Sequence, residues 1–195
     1  RSLLQQLPEV HGSKFYYFGF GSNMLEKRIH IQNPSAKFLG AAVLNDYRVD
    51  FALQSHFWEG AVATIVRTPG AHTWGALWEL ELHTLPDLDN QEGVSHGVYQ
   101  PINVPVHSLL DKQTIECRVY HLCDQPKTDV HGPNSVEEAT AFRLPSKTYL
   151  KVIVKGAEET GLPPEYIQWL KAIRHNGNSV QDMESKLELS EVKLT

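Results

Sequence analysis

Residues 15–24, Phe-Tyr-Tyr-Phe-Gly-Phe-Gly-Ser-Asn-Met, constrain the fold more than any other stretch of the chain. Four consecutive aromatics have high strand preference, and an uninterrupted apolar run suits a strand buried on both faces. Gly19 and Gly21 then let the backbone turn sharply and approach a neighbour closely. Asn23 is a good helix N-cap, and Glu26, three residues on, completes a capping-box pair ahead of Leu25, Ile29 and Ile31. The stretch therefore reads as strand, tight glycine turn and helix start. That order points several backbone N–H groups at one place, which suits a carboxylate or a developing oxyanion. A dinucleotide-binding loop shares the order but needs a third glycine where this chain has Met24, and no Gly-Lys-Ser/Thr follows. A tight turn without any ligand fits the same residues.

The rest of the chain bounds what such a turn can serve. A length of 195 residues suits one domain with a proper core. We expect residues 1–14 as a loose lead-in, 15–175 as the domain and 176–195 as a tail containing a frayed helix. The net charge of −5 argues against a nucleic-acid partner, which would want a basic face. No polybasic cluster or apolar run suits a membrane partner. Cys117 and Cys123 are too few for a disulfide framework and give no CxxC for zinc; alternation puts both on one face of a strand, as structural thiols. The ten histidines show no paired-ligand spacing, so no metal or organic cofactor is expected. These features fit a cytoplasmic protein.

After the first helix, which Pro34 ends, residues 38–44 and 47–53 read as strands separated at Asn45-Asp46. Residues 61–66 and 73–80 read as an antiparallel pair turned at Pro69-Gly70. Helical spacing covers 82–92, closed by Gly93, and residues 98–106 and 113–122 form a hairpin around 110–112. Residues 125–145 are polar, with Pro126, Gly132 and Pro133, and read as a long surface loop. Ser146 caps a helix closed by Gly161, and Pro163-Pro164 opens another. Many strands with few crossover helices give an α+β fold.

The Phe-Gly-Phe-Gly-Ser-Asn-Met-Leu run resembles the Tyr-Gly-Ser-Asn signature of the gamma-glutamylcyclotransferase family. Further matches follow in order: Asn33-Pro34-Ser35-Ala36, Ala63-Thr64-Ile65, Pro69-Gly70, Trp74-Gly75, the segment Asp89-Asn90-Gln91-Glu92-Gly93-Val94 with Tyr99, then Gly156-Ala157 and Gly161-Leu162-Pro163. The resemblance implies a small mixed β-barrel flanked by helices, a homodimer, and a γ-glutamyl small molecule as substrate. The implied reaction is intramolecular: the glutamyl α-amine attacks its own γ-carbonyl, releasing 5-oxoproline and a free amino acid. Such chemistry needs no enzyme nucleophile, only an attack-ready conformer and a carboxylate that takes the ammonium proton and returns it to the leaving nitrogen.

Spacing alone does not choose among Asp87, Asp89 and Glu92, each of which also reads as a solvated helix carboxylate. The resemblance selects Glu92 as the catalytic acid–base and leaves Asp87 and Asp89 as solvated or capping groups. It implies substrate binding by Tyr17, Phe18, Gly19, Phe20, Gly21, Ser22 and Asn23, and pocket positions for Tyr99, Tyr120 and Tyr149. The chain departs from the signature at Phe20, where the family has Tyr, and at Gly19, often Ala. γ-Glutamylamines or glutathione are alternative substrates, although glutathione-specific relatives have a different signature after Gly-Ser. A non-catalytic binding protein is the other class.

Overall fold

The computed structural model describes residues 3–130 and 141–195. Its framework is two long antiparallel strands, β3 (Lys37–Ser55) and β4 (Gly60–Glu81). The sequence reading divides each in two, at Asn45-Asp46 and at Pro69-Gly70, but both points are bends in continuous strands. Register slips between Asn45 and Tyr47, where Asp46 adopts φ 66° and its carboxylate accepts from the Gly70 amide at 2.9 Å. A bulge of this kind adds twist without ending the pairing.

Around this pair the sheet curls shut. β2 (Lys14–Gly19) pairs with β4, β5 (Tyr99–Ser108) with β3, and β6 (Thr114–Leu122) with β5. Tyr17 opposite Arg118 joins β6 to β2 in parallel and closes a five-stranded barrel. The short β1 (Val10–His11) adds to the outer edge of β2. Helices flank the barrel: α1 (Glu26–Gln32), α2 (Leu85–Gln91), α3 (Lys147–Thr160), α4 (Pro164–Lys171) and α5 (Gln181–Lys186). This is the α+β mixed barrel expected from the sequence.

Phe15, Phe18, Phe51 and Trp78 are fully buried in the core. The Ser146 hydroxyl caps α3 by accepting from the Tyr149 amide at 3.1 Å, and Gly161 ends that helix at φ 78°. The end segments carry more structure than expected. Glu9 is buried against Arg118, and Met183, Leu187 and Leu189 pack into the core, because their spacing puts apolar groups on one side of α5 and its exit. Both cysteines are free thiols; Cys117 is buried in β6, whereas Cys123 lies beyond the strand and is exposed.

Of the loop expected over 125–145, residues 131–140 lie outside the described residues. Its flanks are tied to the barrel: the buried Asp50 carboxylate accepts from Arg143 at 2.7 Å and from the Val130 amide at 3.4 Å. Among the described residues, no helix is long and apolar enough to cross a membrane, and no group of three or more His, Cys, Asp or Glu is placed to hold a metal.

Candidate active site

The end of β2 and the turn after it open into a cavity of about 360 Å³. Tyr17, Phe20, Gly21, Ser22 and Asn23 line it, as expected, but Phe18 and Gly19 do not. Side chains alternate along a strand, so Tyr17 faces the cavity while Phe18 is fully buried in the core. Gly19 is needed for packing: a Cβ there would lie 3.1 Å from the Asn23 carbonyl oxygen.

The turn departs from the capping-box expectation. Ser22–Met24 forms a single 3₁₀ turn, and α1 starts at Glu26 with Leu25 at its cap position and no side-chain cap. The Asn23 amide group instead donates to the Tyr17 hydroxyl at 3.0 Å. Glu26 is exposed and faces His30 at 3.7 Å. The Met24 and Leu25 amides bond back to Gly21 and Ser22. Those of Gly21, Ser22 and Asn23 precede the first closed turn and have no main-chain acceptor among the described residues.

Glu92 lines the same cavity. It is the C-cap residue of α2, followed by Gly93 in the left-handed conformation at φ 65°. Burial pushes its carboxyl up to about 7; the nearby Arg28 opposes this and the Asp89 charge adds to it. A position at the negative end of a helix works in the same upward direction.

All three expected pocket tyrosines line the cavity. Tyr99 and Tyr149 grip one residue of β4 on either side: Tyr99 donates to the Ala63 carbonyl at 2.7 Å, and Tyr149 accepts from the Ala63 amide at 3.0 Å. The Tyr149 hydroxyl keeps its own proton, since burial pushes the phenol up to about 12. It lies 3.6 Å from where a Cβ on Gly21 would sit. The Tyr120 hydroxyl donates to Asp89 and accepts from Arg118 at 2.9 Å.

Asp89 is not the solvated group expected from the sequence. Arg118 holds both of its oxygens at 2.8 Å and reaches Glu9 at 2.9 Å with its other amine. This ladder ties α2 to β6 and to the segment before β1. Other contributors also escape the sequence reading. Asn33 and Gln91 exchange side-chain amide bonds at 2.9 and 3.1 Å, joining the ends of α1 and α2 beside Glu92. Arg28 and Gln32, four apart on α1, share the face that looks into the cavity. That helical spacing was the available signal for Arg28; the Arg118 ladder has none, because its members lie far apart in sequence.

Among the described residues the cavity is thus lined by one carboxylate residue, Glu92, one guanidinium residue, Arg28, the turn at residues 21–23 and several aromatics. Comparison with known proteins agrees with this content. The AIG2-like family model matches residues 72–170. The chain is 37% identical to the gamma-glutamylcyclotransferase of Bos taurus, over 97% of this chain and 96% of that one. It is 41% identical to the Homo sapiens gamma-glutamylcyclotransferase, over 83% of this chain and 80% of that one. A solved structure described as gamma-glutamyl cyclotransferase superposes with a TM-score of 0.76 at 36% identity, covering 90% of this chain and 98% of that one. A turn, a carboxylate and a barrel so arranged, in a chain this similar to those enzymes, belong to an enzyme of the gamma-glutamylcyclotransferase family.

Proposed function

We propose that the enzyme converts γ-glutamyl amino acids to 5-oxoproline and the free amino acid, with Glu92 as acid–base and the amides of Gly21, Ser22 and Asn23 as substrate holders. The observation that carries this reading is a carboxyl group raised to about 7 in a cavity also lined by Gly21, Ser22 and Asn23, whose amides have no main-chain acceptor among the described residues. Near neutral pH such a carboxyl can both take and return a proton.

The substrate arrives as an ammonium. Glu92, ionised, takes one of its protons, and the freed amine attacks the γ-carbonyl carbon to close a five-membered ring. The carbonyl oxygen becomes an oxyanion, for which well-aimed N–H donors contribute about 3 kcal/mol each. Protonated Glu92 then gives its proton to the leaving nitrogen as the old amide bond breaks. The re-ionised Glu92 passes the second proton from the ring nitrogen to the freed amine, so that 5-oxoproline and an amino acid bearing an ammonium separate. The aromatic walls, Tyr17 and Tyr149 among them, favour the folded substrate conformer by leaving little space for an extended one. Phe20 retains the shape of the family tyrosine without its hydroxyl, and the main-chain donors do not depend on that group. Both cysteines are free thiols, and we assign the enzyme to the reducing cytosol.

The test is to incubate the protein with L-γ-glutamyl-L-alanine and follow 5-oxoproline by chromatography across pH. Turnover should appear, with kcat/KM falling on the acid side of an apparent pKa near 7 as Glu92 becomes protonated. Binding of 5-oxoproline without product formation would mark a binding protein instead.

A further inference from the structure

The reaction as proposed gives no task to Arg28, the one cationic residue among the described residues that line the cavity. Among the described residues its guanidinium makes no ion pair, and its Nε is buried without a hydrogen-bond partner. Its neighbours are aromatic: the guanidinium carbon lies 5.4 Å from the Trp58 ring centroid and 5.7 Å from that of Phe57. Burial pulls the guanidinium below its ordinary range, against the opposing charge of the Glu92 carboxylate. Stacking on rings orients a guanidinium and recovers part of its lost hydration, but leaves the N–H fork unused. An anion of planar, two-oxygen geometry would complete it.

A γ-glutamyl amino acid brings two carboxylates. One is on the glutamyl α-carbon, next to the attacking amine, and therefore belongs beside Glu92 and the 21–23 amides. The other is on the departing amino acid, across the bond that breaks. Arg28 stands beside the segment that carries Leu53 and Phe57, which line the cavity yet are 52% and 55% exposed, so this side is the mouth. Leu53 adopts φ 62° at a register slip between Ala52 and Gln54, a backbone state that costs a leucine energy and recurs at ligand-holding sites. A product that leaves as a free amino acid exits past these groups.

We propose that Arg28 sets the leaving-group specificity: its guanidinium binds the C-terminal carboxylate of the departing amino acid, whose side chain lies against Leu53 and Phe57. This assignment rests on the γ-glutamyl reading above. It makes an α-amino acid, rather than a simple amine, the preferred leaving group.

The test compares L-γ-glutamyl-L-alanine with γ-L-glutamylethylamine, which keeps the scissile amide and the methyl group but lacks the carboxylate. Wild type, Arg28→Met and Arg28→Lys are assayed for 5-oxoproline from both compounds across pH, and the ratio is taken on the plateau of each profile, so that loss of the Arg28 charge beside Glu92 does not enter it. The wild type should prefer the dipeptide. In Arg28→Met the ratio of kcat/KM for dipeptide over amine should fall roughly 10–100-fold, the worth of a charge-assisted hydrogen bond, mostly through the dipeptide KM. Arg28→Lys should restore part of it. An unchanged ratio in Arg28→Met, or equal kcat/KM for both compounds in wild type, overturns the assignment to the leaving group; the second outcome needs no variant to fold. No 5-oxoproline from either compound in wild type overturns the underlying reaction instead, a result that the ratio cannot mimic.

Discussion

At the scale of single residues, the Glu92 carboxyl is held at a cost to the fold. Its carboxyl titrates near 7 in the folded protein, against a model-peptide value of about 4.3. Between those values the folded state holds a proton that the unfolded state has lost, so stability falls as pH rises through this window and the penalty is complete above 7. Glu92→Gln removes the charge while keeping the shape. We expect it to stabilise the protein by about 1–3 kcal/mol near pH 8.5 and by little near pH 5. Urea unfolding at both pH values measures this, and a difference that does not depend on pH would contradict a desolvated carboxyl only partly compensated by Arg28. Tyr149 tests the cavity wall. Its hydroxyl accepts from the Ala63 amide and lies beside Gly21. Tyr149→Phe leaves that buried amide unsatisfied, which costs about 1–3 kcal/mol, and should also raise KM, read from the melt and the kinetics together.

Among elements, two contacts place the chemistry. Gly156 on α3 packs directly on the 22–24 turn: a Cβ there would lie 2.7 Å from the Met24 Cβ and 2.8 Å from the Leu25 nitrogen. Alanine normally improves a helix interior by roughly 0.5–1 kcal/mol over glycine, but overpacking costs about 1–3 kcal/mol. Gly156→Ala should therefore lower stability and raise KM by displacing the turn; a stabilised variant with wild-type kinetics would contradict this packing. The second contact is the Glu9–Arg118–Asp89 ladder, which fixes α2 and so the backbone of Glu92. Arg118→Met leaves two carboxylates without their cation, a change worth about 3–5 kcal/mol of destabilisation. With the Asp89 charge uncompensated, the acid limb of kcat/KM should move to higher pH in whatever fraction folds. An acid limb that stays where it is in the wild type would show that Asp89 does not act on Glu92.

At the scale of the whole molecule, local signals carried most of the architecture. The aromatic run gave β2, the Leu82–Leu85–Leu88 spacing and Gly93 gave α2 with Glu92 at its end, and Ser146 and Gly161 bracketed α3. What local pattern could not supply is pairing over distance. Pro69-Gly70 carries the residue types of a hairpin turn, and only the partner strand with Asp46 opposite makes it a bend. Asp89 looked like a solvated carboxylate because Arg118 and Glu9, its partners in space, are remote in sequence. The same reason hid the unpaired state of Arg28, and strand alternation sent Phe18 to the core although it sits inside the motif. The barrel nevertheless assembles turn, carboxylate and tyrosines around one cavity, the arrangement on which the proposed intramolecular reaction depends. The most direct test of that arrangement is 5-oxoproline release from L-γ-glutamyl-L-alanine by Glu92→Gln, with 5-oxoproline binding measured on the same sample. We predict turnover reduced by at least roughly 10²-fold with binding retained; near-wild-type turnover would remove Glu92 from the chemistry and contradict the account.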